Sequence, residues 1–329
     1  MFGDWHQLWV IISTPDNVPI VAMLVLVPFY TWFAFHNALA NDRLIGRLET
    51  DPQLARTHHR TTFPFHPRWE RELHTNPFLM RKEFLAAIIV TVILMVWALT
   101  MNAPLEAPAN ASVTMNPAKA PWYFLGLQEM LEYFDPWIAG VVIPTLVIVG
   151  LMAIPFIDAN PLGNGYYTYR QRRHAIWTFL IGFEAIWLVL VSIGTFIRGP
   201  GFMWYWPSQT WDPDRIEFSV NRNLDQVFGV DGSWFKHILP SGWQSSSAII
   251  ARGVFGIIPM VVYGILAALF IHWICLRTEY SRKIYKKMSL VQTVTMYVFL
   301  ITMLFLPVTI FLRLLFRIKY IWETPWFSI

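Results

Sequence analysis

The chain has 329 residues, 55% of them hydrophobic and 14% charged, with 17 tryptophans and a net charge of +4. Its mean hydropathy is +0.43, and a charged share well under the ~25% usual in soluble domains excludes a soluble enzyme. The single cysteine, Cys275, excludes an internal disulfide, a haem attached through C-x-x-C-H and a cysteine-ligated cluster.

Residues 1–17 lack the basic start of a signal peptide. The first hydrophobic run, 18–40, has the ~20 residues needed to cross hydrocarbon, with Pro19 near its start and Pro28 inside. A polar stretch, 41–83, carries eight Lys and Arg. The second span is 84–101, followed by a loop, 102–136, whose only basic residue is Lys119. The third span is 137–157, and a loop, 158–174, bears Arg170, Arg172 and Arg173. Span four runs 175–197. The segment 198–252 is rich in proline and in tryptophan (Trp204, Trp206, Trp211, Trp234 and Trp243), which fits a packed cap better than a free linker. Span five is 253–275, its exit from Arg277 to Lys287 holds five basic residues, and span six is 290–312.

Three alternate loops, 41–83, 158–174 and 276–289, carry sixteen of the 25 Lys and Arg. The positive-inside tendency places these loops in the cytoplasm and both termini outside. The loop 102–136 then faces outward. The expected class is an all-α polytopic membrane protein with six transmembrane helices. No repeat, phosphate-binding glycine loop or nucleic-acid signature is present, and the modest basic excess is a matter of topology.

The stretch from Asn116 to Leu131 is where the chemistry is expected. Pro108, Pro117 and Pro121 keep its front off a helical path. From Trp122 the breakers stop and a short amphipathic helix is expected. Trp122, Tyr123 and Phe124 place three rings at a membrane surface, a pattern that also fits plain interfacial anchoring. Glu129 and Glu132 share a helical face, which in turn fits a solvated surface. Glu184, near the middle of span four, is an ionisable group at a costly depth and marks a buried pairing or a proton path. His36 and His272 sit near the cytoplasmic span ends, where facing histidines ligate haem iron but single ones are usually interfacial. His58, His59, His66 and His74 fit no zinc spacing. Arg170, Arg172 and Arg173 fit topology and lipid headgroups.

Ala120-Pro121-Trp122-Tyr123-Phe124 resembles the Pro-Glu-Trp-Tyr-Phe of the quinol-oxidation loop of cytochrome b, in the half that forms subunit IV of the cytochrome b–f complex. The resemblance covers about 74–198. Asn76-Pro77 precedes span two, Pro104-Leu105-Glu106 and Asn116-Pro117 lead to the loop, Ile154-Pro155-Phe156-Ile157-Asp158 ends span three, and Arg172-Arg173 precedes the next helix. It implies that helices two to four are like the C-terminal part of cytochrome b. It also implies a subunit of a quinol-oxidising complex that couples electron transfer to outward proton release in a bacterial cytoplasmic membrane. The implied organisation is an extra helix and cytoplasmic loop in 1–73, the cytochrome b-like region in 74–198, the cap in 199–252 and two added helices in 253–329.

Under that resemblance Pro121, Trp122 and Phe124 line the quinone site and Tyr123 donates its hydroxyl to the quinone carbonyl. Pro121 stands where the family has a proton-accepting glutamate, so Glu129 and then Glu132 are the stand-ins. Arg170, Arg172 and Arg173 lie on the side of the quinone-reduction site. The implied substrate is a quinol, and the two b haems belong to a haem-bearing cytochrome b N-terminal half. A Rieske-type iron–sulfur protein, a c-type cytochrome and membrane lipids are the implied partners, with the whole complex a dimer. The chain itself is expected to hold no covalently bound cofactor and no metal. A non-catalytic anchor for partner cytochromes, or a quinol-binding subunit of another membrane oxidoreductase, are the competing readings.

Overall fold

The computed structural model describes residues 5–58, 74–102, 105, 108–112, 118–159, 165–207, 209–215, 220–229, 240–241, 247–324 and 326–329. Pro104, Glu106, Asn116, Pro117, His59, His66, Trp234 and Trp243, named above, lie outside them.

Helices α1 (Trp5–Ser13), α2 (Val18–Thr50) and α3 (Pro52–Thr57) open the chain. Helix α4 (Met80–Thr100) follows a π turn, Thr75–Leu79. Helix α5 (Trp122–Tyr133) precedes α6 (Ile143–Ile157), which continues a π turn, Ile138–Val142. Span four combines α7 (Tyr169–Phe179), a π stretch Leu180–Trp187, α8 (Leu188–Ser192) and a π turn Ile193–Ile197. Then come α9 (Leu224–Val227), α10 (Ser247–Arg277), α11 (Glu279–Tyr285), α12 (Leu290–Phe316) and a small antiparallel pair, β1 (Glu323–Thr324) and β2 (Phe327–Ser328).

Six of these helical stretches are long and apolar enough to cross a membrane. They extend past the hydrophobic runs. Helix α2 continues to Thr50 because the polar residues after 40 are mostly tolerated by a helix. It stops where Asp51 turns extended and caps α3, its carboxylate accepting from the Gln53 and Leu54 amides. Residues 169–174, expected in a loop, form the first turns of span four, with a kink at Arg172. Helix α10 starts at Ser247, six residues before the hydrophobic run of span five.

The chain divides into two units. One comprises Trp9–Thr114 with Tyr167–Tyr169. In it Asn41 donates to the Tyr167 carbonyl at 2.9 Å, and the Phe35 and Tyr169 rings lie 5.7 Å apart. Helix α4 has no buried residue and is apolar on all sides, as a lipid-facing span is.

The other unit holds Met115–Tyr166 and Arg170–Ile329. Its core joins Met130 and Tyr133 of α5, and Phe134 just after it, to Ile138, Ile143, Leu190, Phe305, Leu306 and Ile321. Helix α12 packs on both α6 and α10, so the last two spans are built into the core beneath α5. The tail and the segment before α10 are knitted together. Leu224 donates to the Tyr320 carbonyl at 2.8 Å, and Asp225 of α9 pairs with Arg252 of α10 at 2.9 Å.

Candidate functional site

Helix α5 begins after Pro121, whose missing N–H costs nothing at a helix start. Its residues sort by helical period. Leu125, Gly126, Glu129, Met130 and Tyr133 are buried, while Tyr123, Phe124 and Leu131 are exposed. The buried face lies against α8 and the π turn Ile193–Ile197. Two glycines permit that approach. A Cβ on Gly126 would stand 3.0 Å from the Val191 methyl, and one on Gly194 would stand 3.1 Å from Leu125 Cβ and 3.2 Å from its carbonyl.

Glu129 is fully buried in that interface. Arg198, the first residue after span four, donates Nε to Oε2 and Nη2 to Oε1, both at 2.9 Å. Tyr133 Oη donates to Oε1 at 2.6 Å. Three donors thus hold one carboxylate, the arrangement that compensates a buried charge. Burial pushes the Glu129 carboxyl above the usual carboxylate range, against the opposing pull of Arg198 and Tyr133. Burial also raises the Tyr133 phenol, helped by the neighbouring Glu129 charge. Burial acts to lower Arg198, but its bonds to Glu129 outweigh this and hold it above the ordinary value.

A tight turn completes the Arg198 surroundings. Gly201 and Phe202 both adopt positive φ, 65° and 57°, and Arg198 Nη1 donates to the Phe202 carbonyl at 3.2 Å. The Phe202 and Trp204 rings lie 5.2 and 5.3 Å from the guanidinium carbon, within cation–π range.

Two further cations surround α5. Arg313, at the end of α12, lies 3.9 Å from Glu132, too far for a hydrogen bond, and its Nη1 is buried with no hydrogen-bond partner among the described residues. Lys119 Nζ donates to the Thr195 carbonyl at 3.2 Å and sits 4.6 Å from the Trp211 ring centroid. Burial lowers its pKa to about 8, although Glu129 pulls the other way.

The structure therefore gathers Pro121, Trp122, Tyr123, Phe124, Glu129 and Glu132 on one short helix and its lead-in, but on different faces. The Trp122 and Tyr123 rings are 5.7 Å apart and the Tyr123 and Phe124 rings 4.9 Å apart. Arg172 pairs with Asp158 at the far end of span four from α5. Arg170 and Arg173 flank it in the first turns of α7. Glu184 lies half-buried in the π stretch Leu180–Trp187. His36 lies 5.8 Å from the Trp32 ring in one unit. His272, in the other, has Nδ1 3.2 Å from Tyr297 Oη. Among the described residues no three His, Cys, Asp or Glu side chains converge as a metal site.

Sequence reasoning passed over Arg198, Tyr133, Arg313 and Lys119 as parts of the site. The signal was present: Lys119, Arg198 and Arg313 are basic residues on the side where the charge bias expects few.

No curated protein and no solved structure matches the chain. A family model described as Cytochrome b(C-terminal)/b6/petD matches residues 108–205. That range takes in the lead-in to α5, α5 itself, spans three and four, and the turn that carries Arg198. Residues 108–205 are thus similar to the C-terminal region of cytochrome b of the b6/petD type, within an all-α membrane protein with six candidate spans among the described residues.

Proposed function

We propose that this chain is a membrane subunit of a cytochrome b-type redox complex and forms one wall of its outward quinol-oxidation site. The observation that carries the reading is the two-sidedness of α5 within the matched region. One face is locked onto span four through Glu129 and Arg198, while Tyr123 and Phe124 are 53% and 54% exposed on the other. A rigid ledge bearing a phenol and flanking rings suits a flat, apolar carrier with polar edges.

In this reading Trp122, Phe124 and Pro121 bound the quinone ring and Tyr123 donates to a quinone oxygen. Glu132, partly exposed near Arg313, is the more accessible carboxylate for passing protons to outer water. Glu129 reaches the outside only through Tyr133 or by loosening Arg198, so it also positions the helix. The b haems reside in a cytochrome b N-terminal half, where they supply the electron path across the membrane. Electrons leave the quinol toward a Rieske-type protein and a c-type cytochrome, in a complex of the bacterial cytoplasmic membrane that forms dimers. On the opposite side, Arg170, Arg172 and Arg173 contact lipid headgroups or an anionic quinone.

The test is photolabelling of the purified complex with an azido-quinone, alongside quinol:cytochrome c turnover. Label on 121–124 with competition by an outer-site inhibitor is expected. A complex that turns over quinol while these residues stay unlabelled under a partner subunit makes the chain an anchor.

A further inference from the structure

The last two spans lie outside the matched region, and the hairpin between them is built rather than loose. Thr278 caps α11, its hydroxyl accepting from the Ser281 amide at 3.2 Å, and Ser289 caps α12, accepting from the Gln292 amide at 3.3 Å. Arg282 Nη2 donates back to the Leu276 carbonyl at the end of α10, at 3.0 Å. Gln292 Nε2 donates to the Phe156 carbonyl at the end of span three, at 2.6 Å. From Arg277 to Lys287 the hairpin carries five basic residues and one acid, Glu279, which Lys283 pairs at 2.9 Å. Arg277, Lys286 and Lys287 are exposed and have no ion-pair partner among the described residues.

One face of α10 leads up to these charges. Phe270, Trp273 and Arg277 recur at helical spacing. The Phe270 and Trp273 rings are stacked, with centroids 6.2 Å apart and planes 23° from parallel, and both are half-exposed. The Arg277 guanidinium carbon lies 4.8 Å from the centroid of the Trp273 ring, within cation–π range. Beside them His272, also exposed, has Nδ1 3.2 Å from Tyr297 Oη, which in turn lies 3.3 Å from Tyr285 Oη. Residues of α11 and α12 thus orient the imidazole, and its Nε2 has no hydrogen-bond partner among the described residues. Within two turns the row passes from an apolar ring through an indole to a guanidinium. A lipid changes polarity in the same order, from acyl chain through ester region to phosphate.

We propose that this face of the hairpin holds an anionic phospholipid, with its phosphate on Arg277, its glycerol–ester region against His272 and Trp273, and an acyl chain over Phe270. The site stands apart from the quinol reading and belongs to the two spans that the family match leaves out. Arg277 is already laid on its ring, so it gives up little side-chain freedom on binding, unlike a free surface lysine. The surplus of cations over the single, paired acid selects an anionic headgroup over a zwitterionic one. A soluble partner would have to bring a matching acidic surface down to Phe270, two turns inside an apolar span, whereas a lipid already lies at that depth.

The test uses the complex purified with this chain and reconstituted in phosphatidylcholine vesicles. A trace of photoactivatable phosphatidylglycerol or photoactivatable phosphatidylcholine is added, each with its diazirine near the head of the acyl chain, and the label is mapped by peptide. Label on 269–277 from the anionic lipid is expected to exceed that from the zwitterionic one by at least ~5-fold, the effect of one basic residue at a charged membrane surface. Arg277→Gln abolishes the excess, and Arg277→Lys, which keeps the charge without the flat stacking, retains part of it. The double variant Lys286→Gln with Lys287→Gln loses less than Arg277→Gln does. Equal labelling by the two lipids overturns the proposal. A lysine double variant that loses as much as Arg277→Gln also overturns it, because the attraction then belongs to the whole basic hairpin and not to a site. Absence of label from either lipid, with this segment crosslinked to another subunit, assigns the face to a protein partner and overturns it as well. Should Arg277→Gln fail to assemble, the parent's ratio between the two lipids and the Arg277→Lys variant decide the matter.

Discussion

Arg198 grips Glu129 with two parallel hydrogen bonds of 2.9 Å across 69 positions of sequence, joining the end of span four to the middle of α5. Because Glu129 is wholly buried, the partner matters more than the pair. Arg198→Met strands a buried carboxylate and is expected to destabilise by ~3–5 kcal/mol, read as a lower temperature for loss of the native detergent-solubilised protein. The double variant Glu129→Met with Arg198→Met should recover most of that loss. Glu129→Gln keeps shape and one acceptor oxygen, so the complex still assembles, and quinol oxidation slows.

The contact of α5 with span four depends on Gly194. Gly194→Leu drives a side chain into Leu125 and its carbonyl, an overpacking expected to cost ~1–3 kcal/mol and to shift α5. Quinol turnover should fall along with thermal stability. Gly253, where a Cβ meets nothing within 4 Å, supplies the control, and Gly253→Ala should leave both measurements unchanged.

Lys119 also predicts a pH-dependent stability. Its folded pKa of about 8 lies below the ordinary 10.5, so the unfolded chain binds more protons between those values. Stability contributed at this position therefore rises with pH from about 8 to 10.5, and the cost of burying the charge is fully present below that window. The melting temperature of the parent relative to Lys119→Met should climb across this range. A flat difference would mean that the amine is not desolvated.

The charge bias predicts sidedness. In a Cys275→Ser background, Gln209→Cys should react with an impermeant maleimide on intact cells, and Lys286→Cys only after permeabilisation. The reverse pattern would invert the topology and put α5 inside.

Much of this architecture was legible in the residues. Six spans follow from runs of apolar side chains that hydrocarbon requires, and the start of α5 follows from Pro121 giving way to Trp122-Tyr123-Phe124. The ends were less legible, because Asn41–Thr50 and Tyr169–His174 are polar yet compatible with a helix, and hydropathy reports solvent rather than backbone. The pairing of Glu129 with Arg198 could not be read from spacing, since it is set by how closely Gly126 and Gly194 let two helices approach. The involvement of α10, α12 and the tail in the core under α5 was hidden too. Apolar residues facing a neighbour look the same in sequence as those facing lipid.

Ile321 sits in the same cluster as Met130, Tyr133 and Phe134, nearly two hundred positions earlier. During synthesis, the ledge around Tyr123 emerges from the ribosome long before the residues that brace it from below. Until the tail arrives, the Glu129 pocket is missing part of its floor, and a chain interrupted after span four would present an unfinished surface to quality-control proteases. Correct biogenesis of this ledge is therefore tied to synthesis reaching Ile321.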